Sequence, residues 1–196
     1  MNMTRTATLA SLPLGLLGLV ALLIVAACGG TDFVPGPDDA RSAGANAVVS
    51  LETPDIVIET YQGEELLGGH DVTLAGVLGQ GKPVVLNFWA ALCPPCRAEM
   101  PDIQKVHEER GDKVTILGLD IGPQQFLGTR EQGKELLAEL NLHYPAGTTF
   151  DEGIVRSYRV VGMPTTLFIN SDGSLLRSWT GLLNEEKLNE FIDQLS

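Results

Sequence analysis

The residue order predicts an α/β domain: a central mixed β-sheet flanked by helices. Three observations lead there. Val84 to Trp89 is a continuous apolar run, as a buried central strand should be, and Val114 to Leu119 reads as a second buried strand. Helix-length stretches follow each of them, from about Pro94 to Glu109 and from Glu131 to Leu140. A later strand, Thr165 to Ile169, turns at Asn170-Ser171-Asp172-Gly173 and returns as the paired strand Ser174 to Trp179. Strands joined through a helix run parallel, whereas a hairpin is antiparallel, so the sheet is mixed.

The remaining elements are weaker. Ile56 to Ile58 reads as a short strand, and Leu66 to Leu78 as turns with one helical turn. Pro101 sits inside the first long helix and predicts a kink, because proline lacks an N–H and crowds the preceding turn. Asn184 is the expected cap of a closing helix from Glu185 to Leu195.

Length and composition exclude several classes of function. At 196 residues, 44% hydrophobic and 19% charged, the chain holds one globular domain plus a tail. Aromatic residues are only 6%, too few for a base-stacking platform. The net charge of −12 repels phosphate backbones, so nucleic acid is not an expected partner. Three cysteines are too few for a disulfide scaffold.

Residues 1–27 form a separate object. Arg5 precedes an uncharged stretch from Thr6 to Ala27, dominated by Leu, which ends Val25-Ala26-Ala27-Cys28. A basic start, an apolar middle and small residues before a break describe a secretory signal. Cys directly after Ala-Ala resembles a bacterial lipobox, in which Cys28 is lipidated and anchors the chain to the membrane. An uncleaved anchor helix is the alternative. Removing residues 1–27 leaves 12 Lys and Arg against 25 Asp and Glu, a net of −13. Residues 28–53 are rich in Gly, Ala, Pro and Asp and read as a flexible tether. The folded domain is expected over 54–196.

The chemistry centres on Cys93-Pro94-Pro95-Cys96, placed where a buried strand ends and a helix begins. Such a pair is a structural bridge, half a metal site or a redox couple. A bridge across two residues closes almost no loop and adds little stability. A metal site needs about four ligands, and His70, His107 and His143 are scattered. The helix N-terminus favours a thiolate at Cys93, through unpaired N–H groups and the macrodipole. Cys93 is then the nucleophile, and Cys96, one turn along, resolves the mixed disulfide. Glu99 shares the helical face of Cys96 and is the candidate for moving protons; a solvated helix glutamate is the plainer reading. Asn87 in the preceding strand cannot titrate.

The stretch Asn87 to Pro101 resembles thioredoxin-fold proteins of the TlpA/ResA type, and Val161-Gly162-Met163-Pro164-Thr165-Thr166-Leu167-Phe168-Ile169-Asn170 with Asp172-Gly173 matches the later signature of that family. The resemblance spans 54–196, with Gly122 to Thr149 similar to the family's extra strand–helix insertion and residues 1–53 as an N-terminal extension. It implies an extracytoplasmic thiol–disulfide oxidoreductase that needs no cofactor beyond the Cys93–Cys96 pair. It also implies a glutamate at the place of Glu99 and a cis-proline at Pro164 facing the cysteines. Proline has no N–H, which leaves the Met163 backbone free to pair with an extended substrate. Met163, Leu92, Pro94 and Pro95 would form an apolar collar for protein substrates around Cys93, or Met163 would be ordinary core. One departure stands out: the family usually carries Trp where this chain has Leu92.

The resemblance implies a reductant: members of that type mostly keep the thiols of apocytochrome c or of copper-site assembly proteins reduced, drawing electrons from a membrane relay reductase. An oxidase of secreted proteins is the closest rival. A copper chaperone on this fold spaces its cysteines differently and adds a histidine. A peroxidase is disfavoured by the paired nucleophile and the lack of a Thr-x-x-Cys pattern.

Overall fold

In the computed structural model, residues 53–196 are described. The expected signal, Cys28 and nearly all of the tether lie outside them. The elements are β1 (Val57–Gln62), α1 (Glu64–Leu67), β2 (Asp71–Thr73), α2 (Leu74–Leu78), β3 (Val84–Trp89), α3 (Pro94–Arg110), β4 (Thr115–Asp120), α4 (Gly122–Gln125), α5 (Arg130–Glu139), β5 (Ala146–Thr148), α6 (Ile154–Ser157), β6 (Thr165–Ile169), β7 (Leu175–Thr180) and α7 (Glu185–Ile192). Among these residues no helix is long and apolar enough to cross a membrane.

The strands form one mixed sheet in the order β2-β1-β5-β4-β3-β6-β7. β3 pairs in parallel with β4 and antiparallel with β6. β4 and β5 are parallel, while β1 runs antiparallel to both β2 and β5. Every residue of β3 and β4 is buried, the polar Asn87, Thr115 and Asp120 included, which is why both read as mainly apolar runs.

Alternation along β3 sends Val85 and Trp89 to one face and Val84, Leu86 and Phe88 to the other. The first face packs against α3, α5 and α7 through Ile103, Val106, Leu136, Leu137, Leu188 and Phe191. The second packs against α1, α2 and α6 through Leu67, Leu74, Val77 and Ile154. Helices therefore cover both faces, as expected.

Differences from the expectation are local. The strand at Ile56 to Ile58 starts one residue later and runs on to Gln62, because its edges pair with β2 and β5. Leu66 to Leu78 resolves into the end of α1, then β2 and α2, the last capped by the Thr73 side chain. The insertion after β4 runs helix first: α4, α5, then β5. Pro123 opens α4, and a capping box of Thr129 and Gln132 opens α5. Gln104 of α3 fixes the approach to β5, its Oε1 accepting from the N–H groups of His143 (2.7 Å) and Tyr144 (3.1 Å). α3 continues through Pro101 as a single helix; the proline costs the Arg97 carbonyl its helical donor.

Candidate active site

β3 ends at Trp89, and Ala90 to Leu92 lead directly into α3. Cys93 is the N-cap residue of that helix, with Pro94 and Pro95 in its first turn. Two prolines suit this position because the first N–H groups of a helix have no internal partner. They also remove donors. Among the residues of that first turn, Cys96 alone keeps an N–H, and it points to Cys93 Sγ at 3.3 Å. The two sulfurs are joined as a disulfide, with Cα atoms 5.3 Å apart. Cys96 is fully buried and Cys93 is 5% exposed, so of the two cysteines Cys93 alone is accessible.

A groove of about 350 Å³ opens beside Cys93. Leu92, Pro94, Pro95 and Met163, the four residues expected to form a collar, all line it. Met163 also packs against the cores on both sides of the sheet, so the collar and core readings of this residue coincide. The Met163–Pro164 peptide is cis. Pro164 is buried, and its carbonyl accepts from the Gly181 N–H at 2.8 Å. The segment after β4 adds Ile121, Gln125 and Leu127 to the lining. Leu92 is tied to that segment, its N–H donating to the Leu127 carbonyl at 2.9 Å.

Glu99 lies one turn beyond Cys96 and is fully buried. Asn87 Nδ2 donates to its Oε1 at 2.8 Å, and the Leu183 N–H donates to its Oε2 at 2.9 Å. Asn87 is held in turn by Thr166, its partner across β3 and β6. Burial pushes the Glu99 carboxyl up to about 7, against the opposing pull of those two hydrogen bonds. The plainer reading of a solvated glutamate is therefore wrong for this structure. Spacing along the helix put Glu99 on the right face; its burial depends on β3, β6 and the loop before α7.

A second buried carboxylate was not singled out in the sequence. Asp120 ends β4 opposite Trp89 and is fully buried. Its Oδ1 accepts from the Gly122 N–H at 2.9 Å and its Oδ2 from the Tyr61 hydroxyl at 3.2 Å. Desolvation raises its carboxyl to about 6, while the two hydrogen bonds and the Arg130 charge oppose the rise. The signal available was an acidic residue closing an apolar strand run. Among the described residues, no group of three His, Cys, Asp or Glu is placed to hold a metal ion.

The AhpC/TSA family profile matches residues 50–178. The thiol-disulfide oxidoreductase ResA of Bacillus thuringiensis subsp. konkukian is 26% identical over 149 residues, 76% of this chain and 79% of the relative. A thioredoxin-family thiol:disulfide interchange protein of Chlorobium tepidum TLS superposes with a TM-score of 0.59 at 21% identity, covering 73% of this chain and 94% of its own. The exposed lipoprotein thioredoxin Etrx1 of Streptococcus pneumoniae strain TIGR4 gives 0.58 at 22% identity, covering 72% of this chain and 100% of its own. With a sulfur pair at the head of a helix on this thioredoxin-like sheet, the chain belongs to the AhpC/TSA family and is a thiol–disulfide oxidoreductase.

Proposed function

We propose that this chain is a membrane-tethered, extracytoplasmic reductase of protein disulfides that serves cytochrome c maturation or copper-site assembly. The observation that carries the redox reading is the Cys93–Cys96 pair at the head of α3, of which Cys93 alone lines an open groove. Tethering rests on the signal-like residues 1–27 and the lipobox-like Cys28, and is supported by the lipoprotein named among the structural neighbours.

The reduced protein begins with thiols at both positions. The Cys93 thiolate attacks one sulfur of a substrate disulfide, forming a mixed disulfide and expelling a substrate thiolate, which takes up a proton. Glu99 accepts the proton of the Cys96 thiol. The Cys96 thiolate then attacks Cys93 Sγ, closing the internal disulfide and releasing the second substrate thiolate, which is protonated in turn. Two electrons pass to the substrate. A membrane electron-relay reductase restores the dithiol, and no cofactor beyond the two sulfurs is needed. Met163 and Pro164 shape the groove in which the substrate lies, with Leu92, Pro94 and Pro95 on its rim.

Direction follows from the donors at Cys93. A strong oxidant is one whose thiolate is heavily stabilised. Here Pro94 and Pro95 leave one amide, that of Cys96, facing the sulfur. Weak stabilisation of the thiolate favours giving electrons away. The reduction potential tests this: a value near −270 mV, as for thioredoxin, supports a reductase, and one near −120 mV, as for DsbA, makes the protein an oxidase. Partner trapping tests the pathway. A Cys96→Ser variant cannot resolve the mixed disulfide, so apocytochrome c or a copper-site assembly factor stays bound. Recovery of neither would remove the assignment to these pathways.

A further inference from the structure

Exposed apolar side chains gather around the cysteines. The described residues include nine large hydrophobic residues with exposed side chains. Of these, Leu92, Leu127 and Val161 line the groove; Phe126 does not line it itself but lies in the chain between two residues that do, Gln125 and Leu127. Phe126 is 96% exposed. Its backbone is in the left-handed region, with φ 56°, which costs a bulky residue on the order of 1 kcal/mol. A ring standing in water returns none of that cost to the fold. None of the groove's lining residues is charged, although the chain carries a net −12.

The turn that displays Phe126 is firmly held. Asp120 Oδ1 accepts from the Gly122 N–H at 2.9 Å, and the Leu127 N–H donates to the Gly122 carbonyl at 3.0 Å. The Leu127 carbonyl holds the Leu92 N–H, one residue before the reactive cysteine. Gly128 lies so close that a Cβ there would sit 2.9 Å from the Ala91 Cβ. Asp120 is held from the other side by the Tyr61 hydroxyl of β1 and by the charge of Arg130 on α5, which is itself paired with Glu59.

We propose that the turn from Gly122 to Gly128 is the selectivity wall of the groove, with Asp120 as the residue that positions it and Phe126 as the contact for an apolar residue beside the cysteine of an extended protein substrate. This rests on the thiol–disulfide exchange assigned to Cys93 and Cys96. The uncharged lining favours an apolar or neutral segment, since a charged one would lose its water with no partner to replace it. The apolar rim gives such a segment surface to bury.

The test offers the reduced full-length protein two oxidants: a disulfide-bonded peptide with Phe beside each cysteine, and bis(2-hydroxyethyl) disulfide, too small to span the groove. Phe126→Ala and Asp120→Asn should each lower the preference for the peptide over the small disulfide about tenfold, mainly through KM, a loss of roughly 1.4 kcal/mol. Phe126→Leu should restore most of it. Phe126 is exposed, so its variants fold even where Asp120→Asn does not. Equal slowing on both oxidants, or no change on either, overturns the proposal. So does a wild-type dimer in sedimentation that Phe126→Ala converts to monomer, which would make a second copy the occupant. A wild-type protein inert toward both oxidants would instead refute the redox reading itself.

Discussion

Two buried carboxylates, Glu99 on α3 and Asp120 at the end of β4, differ in their partners. Glu99 meets only neutral donors, the Asn87 amide and the Leu183 N–H, and its carboxyl rises to about 7. Asp120 has two hydrogen-bond donors and also the nearby charge of Arg130, and rises to about 6. A buried carboxyl without a cation is poised to exchange a proton near neutral pH. Asp120 starts from the lower ordinary value of an aspartate and rises by a similar amount, so it is the more ionised of the two at neutral pH, held by its two donors. On the proposed reading, the cysteine side of the groove carries the chemistry and the segment after β4 holds its shape.

The sharpest way to break this division is Cys93→Ser. It should bring peptide disulfide reduction down to the uncatalysed rate; surviving turnover would place the chemistry elsewhere. Next in size is a stability difference. Glu99 titrates at about 7 when folded against an ordinary 4.5. Between those values the folded chain holds a proton that the unfolded chain has lost, so stability is full below 4.5 and falls as pH rises to 7. The loss is roughly 3 kcal/mol, and denaturant titrations of Glu99→Gln should lack it. Asp120 contributes a fall of the same sign that ends near 6, so Asp120→Asn should keep the decline between 6 and 7 while Glu99→Gln should not. The reverse pattern would exchange the two roles.

Alkylation of the reduced thiols sharpens the same comparison. Its pH profile should carry an inflection near 7 that disappears in Glu99→Gln; an unchanged profile would remove Glu99 from the proton path. The smallest expected effect is at Gly133 on α5, where a Cβ would collide with Asp120 Oδ2. Gly133→Ala should therefore destabilise the fold by about 1–3 kcal/mol through overpacking, read by thermal denaturation. An unaltered Tm would mean that α5 does not clamp Asp120.

Much of the cysteine side was legible because its signals are short-range. A six-residue apolar strand, a helix start and two cysteines three positions apart lie within one stretch of chain. The insertion side was not. Its strand β5 has only three residues, Ala146 to Thr148, and no alternating pattern can appear over so short a run. Phe126 reads in sequence like any apolar residue near a turn; only its backbone angle and exposure set it apart.

Residue order alone pointed to the cysteine pair and to the helix that starts on it, because both depend on neighbours within a few positions; Met163 reaches the same groove from about 70 residues away, through the pairing of β3 with β6. Tertiary packing decided which acids are buried and what they touch. Glu99 is closed off by Leu183, 84 residues on, and Asp120 is met by Tyr61, 59 residues before it. Desolvation depends on everything that surrounds a group in space, and no local pattern encodes that.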